Sequence, residues 1–438
     1  MGGDHPVSYP QKGLWILDRL HPGRSTFAVP LVYRIDGDLD IASLEQSIGE
    51  VAGRHEVLRT VYRRDGRTVR QVVRDPEPIR VPVIDVTADR SPEAEAARLA
   101  AAEARRPFDL GTGPVLRSLL LRTAARRHWL CLTLHHIACD GWSIHLLNSE
   151  LSAIYRSRVT GSASPLRVLT EQYSDFAEWE AARQDSPVVR ADLEYWCRRL
   201  ADVPAPATIP PDRPRGPRTG SGGRVSFTVA KPVADRVSSL AAECRATPFA
   251  VLLAAYAILI HARNGAQDVV VGLPVTARER EAHHHLIGMF VNPVAVRLAV
   301  TDASCFRDLV CRAREESRAA IAHRSAPFER VVEALSPVRR PGMHPVFQLV
   351  LSCQADAPAG LELPGCAVET TFGETSTAKA DMTLGLTAGA DGYSGRLEYS
   401  TDLFEESTAR ALAAQFQDIL AAGTEHPLHS LSQSRRNS

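Results

Sequence analysis

The sequence predicts an α/β protein, of the α+β type, built as two lobes. Three observations carry that expectation. The chain has 438 residues, beyond the roughly 250–300 at which a single hydrophobic core stops growing. Both halves mix short β-branched runs with longer segments whose apolar positions recur every three or four residues. Between Ala201 and Gly223 lie six prolines and several glycines, a composition that suits a lobe connector and not a helix interior or central strand. The lobes are therefore expected at residues 1–180 and 181–438, with the connector in the second.

Taken in order, Ile41, Leu44, Ile48, Val51, His55 and Leu58 trace one helical face ending near Arg59. Thr60–Arg63 and Thr68–Val73 read as short strands around the turn Asp65-Gly66. Val115–Arg122 and His128–Leu134 make a second extended pair. After them Ile144, Leu147, Leu151 and Ile154 have helical spacing, with Ser143 placed to cap the helix. Beyond the connector, Val225–Val229 reads as a strand, and Thr247-Pro248 as the cap and first position of a helix through Leu259. Asp268–Gly272, Val346–Leu351 and Gly395–Ser400 read as further strands, and Thr408–Leu420 as a final helix followed by a frayed tail. The two halves have comparable element content, as duplicated lobes would.

Composition excludes several classes of function. Fifty-one basic residues balance fifty-one acidic ones, and the small arginine cluster at Arg213–Arg218 is no phosphate-binding tract, so nucleic acid is not an expected partner. Eight cysteines are scattered singly, the pattern of reduced thiols in a cytoplasmic protein. No apolar run approaches the ~18 residues that span a membrane, and the first residues lack the basic and apolar regions of a signal peptide. Neither a membrane partner nor a bound metal is expected.

The chemistry concentrates in His135-His136-Ile137-Ala138-Cys139-Asp140-Gly141-Trp142-Ser143, which the flanking patterns make a strand, a turn and a helix start. Successive strand side chains point to opposite faces, so one imidazole should meet the reactants while the other packs inward. A neutral imidazole can take a proton from an amine or hydroxyl at neutral pH, and Asp140 can hold a ring, an arginine or the loop. A buried strand end followed by a capped helix would account for the same residues without catalysis. Contiguous histidines diverge too far to share a metal, and no second ligand cluster has the spacing of one. His283-His284-His285 reads as a solvated loop.

This motif resembles the His-His-x-x-x-Asp-Gly signature of the condensation domains of nonribosomal peptide synthetases, relatives of chloramphenicol acetyltransferase. Further matches follow in order across nearly the whole chain. They are Ser8–Trp15, Arg54–Thr60, Tyr173–Trp179, Gly272–Arg278, Ile287–Val294, Ala326–Glu329 and His344–Phe347. Each has a bland reading alone; Tyr173, Phe176 and Trp179, for instance, have the spacing of a helix core. Pro10 and Lys12-Gly13 depart from the usual opening motif, which bears on the donor subclass.

The resemblance implies two acetyltransferase-like lobes in a V-shaped pseudo-dimer with a tunnel between them. It implies an acyltransferase that joins a carrier-protein-bound acyl or aminoacyl thioester to an amine or hydroxyl acceptor. No intrinsic cofactor is implied; the 4'-phosphopantetheine arm comes with the carrier protein. His136 would be the catalytic residue, as a base or as the group that orients the amine and stabilises the tetrahedral intermediate. His135, Asp140, Gly141 and Arg278 would support it, Asp140 pairing with Arg278 and Gly141 admitting the acyl chain or an unusual turn angle. Trp142, Ser143 and Asn292 would line or brace the channel. The intact histidine pair argues against the family's inactive recruitment branch, and it is not the doubled-aspartate pattern of the heterocyclising branch. A free-standing or N-terminal domain is expected from the position of the first motif. The competing expectations are an acyl-coenzyme A dependent acyltransferase of the same superfamily and a non-catalytic carrier-docking domain.

Overall fold

The computed structural model describes residues 3–203, 208–338, 340–354 and 360–430. The chain opens with β1 (Asp4–Pro6), α1 (Tyr9–Leu20), β2 (Ala28–Gly37), α2 (Ile41–Arg54), β3 (Thr60–Asp65) and β4 (Thr68–Val73). Then come β5 (Val83–Asp85), α3 (Pro92–Arg105), β6 (Leu116–Ala124), β7 (Arg127–His135), α4 (Gly141–Thr160) and α5 (Tyr173–Arg183). The second half supplies α6 (Pro187–Leu200), β8 (Gly222–Ala230), α7 (Lys231–Glu243), α8 (Pro248–Asn264), β9 (Asp268–Thr276), β10 (Val291–Ala299) and α9 (Phe306–Ala322). It ends with α10 (Phe328–Leu335), β11 (Leu349–Gln354), β12 (Cys366–Phe372), β13 (Met382–Gly389), β14 (Gly392–Ser400) and α11 (Glu406–Glu425).

Contacts divide the chain into two compact units. The first comprises Met1–Gln184, Arg278–Val291 and Pro358–Thr375. Its main sheet has the order β12-β2-β7-β6-β5, and a smaller sheet the order β1-β4-β3. β7 lies between antiparallel neighbours, with His135 opposite Ala28 of β2. Residues 128–135 are all buried, which fixes where the strand ends and therefore where the turn after it begins. α3 packs a stripe of Ala96 and Ala100 against Val32, Leu121, Trp129 and Cys131, and methyl side chains let a helix approach a sheet closely.

The second unit comprises Asp185–Ala277, Asn292–Ala357 and Ser376–Ser438. Its sheet has the order β10-β9-β11-β13-β14-β8, parallel where β11 meets β9 and β13, and antiparallel through β13, β14 and β8. α8 is apolar all round and buried from Ala250 to His261, the signature of a central core helix. No single helix among the described residues is long and apolar enough to cross a membrane.

Several expectations need correction. Residues 278–291 and 358–375 pack in the first unit, so a single cut at 180/181 separates segments that belong together. β12 is the reason for the later excursion, since it pairs along β2 from Cys366 opposite Gly37 to Phe372 opposite Leu31. The helix expected to run to Arg59 stops at Arg54; His55 is extended, and Glu56–Arg59 form a 3-10 turn. The strand expected from Val346 begins at Leu349, because Gln348 folds its amide back onto His344, accepting from its N–H and donating to its carbonyl. The final helix continues past Leu420 to Glu425, so the first residues of the expected frayed tail are helical, and residues 431–438 of that tail lie outside the described residues.

Candidate active site

β7 ends at His135, residues His136–Ala138 make a 3-10 turn, and α4 starts at Gly141. The change from strand to turn separates the two imidazoles. His135 is buried, its ring between Phe27 and Phe108. Its Nδ1 accepts the Ile137 N–H at 3.1 Å, so the ring proton sits on Nε2, 3.8 Å from Asp18 Oδ1. His136 is half-buried. Its Nδ1 lies 2.7 Å from the Cys139 carbonyl. A carbonyl can only accept, so Nδ1 carries the hydrogen and Nε2 is the basic nitrogen of the neutral ring.

Asp140, not Ser143, caps α4. Its Oδ1 accepts the Ser143 N–H at 2.8 Å from an extended backbone, while Ser143 stands at the third helical position. The carboxylate is buried and has three further partners. Arg278 donates to both oxygens at 3.1 and 3.3 Å, and the Phe290 N–H reaches Oδ2 at 3.2 Å. The Ser143 hydroxyl lies 2.7 Å from Asp140 Oδ1 and 2.8 Å from the Gly288 carbonyl, and accepts from Arg278 at 3.1 Å and Gly288 N–H at 3.0 Å.

Arg278 is buried and also donates to the carbonyls of His283 and Leu286, while its guanidinium lies over the Phe290 ring at 3.9 Å. Burial pushes its pKa down and Asp140 pulls it back up; a guanidinium stays protonated under both influences. A buried pair of this kind is chiefly a geometric constraint, because the cost of desolvating it cancels most of the attraction. It ties segment 278–290 to the start of α4.

The other expected residues have different surroundings. Gly141 is the first helical residue of α4 and exposed, so it has helical torsions and no special turn angle. Trp142 is about half exposed; its Nε1 donates to the His284 carbonyl at 2.9 Å, and its ring contacts the imidazoles of His145 and His284. Asn292 belongs to the second unit, where its amide donates to the carbonyls of Arg324 and Ala326 and accepts the Phe328 N–H. It braces the start of α10. His283 is buried, contrary to a solvated loop, because Phe176, Trp179 and Phe290 enclose its ring. That desolvation pushes its pKa down to about 4. His284 and His285 are exposed. Among the described residues, no group of three His, Cys, Asp or Glu side chains could hold a metal.

Two bracing contacts were not evident in the sequence. Glu150, on the buried side of α4, receives His55 Nε2 at 2.8 Å and Arg54 Nε at 3.2 Å, while His55 Nδ1 accepts the Ile287 N–H at 3.3 Å. Tyr173 donates to the Met289 carbonyl at 2.6 Å and meets Ser8 Oγ at 2.8 Å. A Cβ at Gly288 would sit 2.0 Å from the Tyr173 ring, so that position must be glycine. Segments around 8, 54, 140, 173 and 288 thus converge on the N-terminal half of one helix.

The family model of the condensation domain matches residues 1–436 of the chain. The chain belongs to the condensation-domain family. Among relatives of this condensation domain, phosphinothricin tripeptide synthetases PhsB and PhsC of Streptomyces viridochromogenes are 38% and 36% identical over 95% and 93% of the chain. The domain spans only 36% and 38% of their lengths. The chondramide synthase of Chondromyces crocatus is 34% identical over 96% of the chain, which covers 11% of that protein. The crystal structure of the X-domain from teicoplanin biosynthesis superposes with a TM-score of 0.89 at 28% identity, covering 98% of this chain and 96% of that one. The first condensation domain of the calcium-dependent antibiotic synthetase, in complex with a substrate analogue, matches with a TM-score of 0.85 at 21% identity over 98% of both chains, which speaks to the shared fold.

Proposed function

We propose that this domain joins an acyl or aminoacyl thioester, carried on the phosphopantetheine arm of a carrier protein, to an amine or hydroxyl acceptor in nonribosomal peptide or related natural-product synthesis. The observation that carries the reading is the tautomer of His136. With Nδ1–H committed to the Cys139 carbonyl, the neutral ring offers Nε2 as an acceptor and cannot donate from it. The ring is therefore set to receive the nucleophile's proton first and to donate only afterwards.

The acceptor's lone pair attacks the thioester carbonyl carbon and forms the new C–N or C–O bond. Its proton passes to His136 Nε2, and the carbonyl oxygen becomes an oxyanion beside an imidazolium that can now stabilise it. Collapse expels the pantetheine sulfur as a thiolate, which recovers the proton. The products are an amide or ester and a free thiol arm. His135 holds the strand end, and Asp140 with Arg278 holds the turn and helix start, so the ring is positioned before substrate arrives. All eight cysteines are free thiols, which fits action in the reducing cytoplasm.

The test offers the protein an aminoacyl carrier protein, the same acyl group on coenzyme A, and panels of amines and alcohols, with products read by intact mass. Turnover from the carrier, lost in His136→Ala, is expected. Turnover from coenzyme A alone would replace the reading with the acyl-coenzyme A transferase. A second reading is favoured by one finding, that the X-domain from teicoplanin biosynthesis also forms a complex with OxyB. A recruiting domain of that kind predicts partner binding without turnover and an inconsequential His136→Ala.

A further inference from the structure

We propose that the first unit carries a second ligand site, an arginine-lined cleft that takes a small organic anion headed by phosphate or carboxylate. The cleft, about 390 Å³ in volume, lies among the start of β3, the segment Arg74–Pro82 and the turn Arg106–Ser118. That is within the roughly 300–1,000 Å³ typical of small-molecule pockets. No residue of the turn His135–Ser143 lines it.

Its charge is lopsided in a chain that is neutral as a whole. Five arginines line it against two acids, Asp75 and Glu77. Two of the five are already committed. Arg117 donates to Glu103 Oε1 at 2.7 Å and to three carbonyls, and Arg106 pairs with Glu103 at 3.0 Å. Arg74 and Arg80 are exposed and take part in no ion pair among the described residues.

Arg59 is partly committed. One terminal nitrogen donates to the Arg74 carbonyl and the other lies 3.4 Å from Glu56, but its Nε is buried with no hydrogen-bond partner among the described residues. Arg59 lines the cleft beside Arg74 and Arg80, and guanidinium matches carboxylate or phosphate with paired bonds.

The walls decide against a bare inorganic ion. Leu58, Val61, Ile79 and Leu116 are apolar lining residues, suited to a body of a few carbons. The strap is set in advance, since Pro76, Pro78 and Pro82 fix backbone torsions. The Val81 N–H also binds Glu45 Oε2, and the Leu120 N–H binds the Pro82 carbonyl, both at 2.8 Å. Asp75 and Glu77, exposed on the same strap, repel a long polyanion.

Calorimetric titration of the full chain with butyl phosphate, butyrate, inorganic phosphate and 1-butanol tests the site. Saturable one-to-one binding of butyl phosphate or butyrate is expected, about tenfold tighter than inorganic phosphate, with none for butanol. The stronger of the two names the head group. Arg59→Gln and Arg80→Gln should each weaken it about tenfold, and Arg80, on the exposed strap, remains informative if Arg59→Gln fails to fold. Binding should survive His136→Ala. The proposal is overturned by absence of saturable binding, by unchanged affinity in Arg80→Gln, by loss in His136→Ala, or by an acidic peptide binding where both small anions fail.

Discussion

The corner between β7 and α4 in the first unit and the corner between β14 and α11 in the second follow one plan with different contents. Each strand has nine residues, closes an antiparallel hairpin and leads to a helix of twenty. The helix cap follows the end of the strand at the same spacing, His135 to Asp140 and Ser400 to Glu405. In the first corner Asp140 serves Ser143, and Arg278 pins the carboxylate. In the second, Glu405 makes no side-chain cap. The carboxylate comes instead from Asp212 of the connector, which accepts the Glu405 N–H at 2.8 Å and the Thr408 hydroxyl at 3.0 Å. Thr401 stands where His136 does, and buried Leu403 and Phe404 fill the remainder of the turn. Each hairpin–helix corner thus has one carboxylate at its helix start, from a different source. The imidazole and its buried ion pair are additions to that scaffold and do not follow from the fold.

The two corners should differ most on removal of the arginine. Arg278→Ala strands a buried carboxylate and should cost about 3–5 kcal/mol, whereas Arg213→Ala removes a half-exposed pair, 3.6 Å from Glu405, with bonds to the carbonyls of Thr401 and Phe404, and should cost less because water replaces part of that bonding. Hydrogen exchange should show α4 losing protection in Arg278→Ala while α8 keeps its own. Unchanged protection of α4 would mean that the pair does not hold the turn.

Next in size is the imidazole itself. His136→Ala should lower kcat/KM by about 10²–10⁴ with little change in stability, since the ring is half-buried and its Nδ1 bonds a carbonyl of its own turn. Thr401→Ala, at the matching place, should leave the rate within about twofold, as a substitution away from the chemistry does. Equal losses in both variants would make the two corners equally structural and defeat the assignment of His136.

The sequence exposes these two corners unequally, for a physical reason. His135, His136 and Asp140 are close together and chemically unusual, so the turn is visible without knowledge of its surroundings. Asp212 sits in a proline-rich stretch whose local pattern shows only a break, and its partners lie at the start of α11, far along the chain. The same distance hides Asn292, whose amide serves residues 324–328, and His283, whose burial depends on rings at 176, 179 and 290. Ser143 and Asp140 are both good caps three residues apart, and only backbone torsions decide between them. α3 has no strong apolar face, since its buried residues are Ala96, Ala100 and Ala104. What is local in character is legible; what is created by packing is not.

Acid sharpens the contrast between the helices. Burial raises the Glu150 pKa, but the His55 and Arg54 bonds outweigh it, so the carboxyl titrates below the ordinary glutamate value. A depressed folded value means the stabilisation is complete above the ordinary value and is lost as pH falls through the lower folded one. α11 has neutral Gln415 at the matching position. Glu150→Gln should cost about 1.5–3 kcal/mol at neutrality, the range for bonds to a charged group, and the difference from wild type should shrink in acid. A gap that is the same in acid and at neutrality would show that the ionised form of Glu150 contributes nothing.

The smallest expected effect tests whether the connector caps α11 at all. Asp212→Ala removes the acceptor of the Glu405 N–H and of the Thr408 hydroxyl, and loss of a helix cap costs typically about 1 kcal/mol. Because the helix start is exposed at Glu405 and Glu406, water can replace part of the lost bonding, which keeps the cost small. Asp212→Asn retains an acceptor oxygen and should recover most of the loss. Exchange of the first α11 amides should quicken in the alanine variant while those of α4 stay unchanged, since Asp140 caps α4 within its own segment. If Asp212→Ala and Asp212→Asn match wild type at the α11 amides, the shared plan of the two corners stops at their geometry and the carboxylate is not part of it.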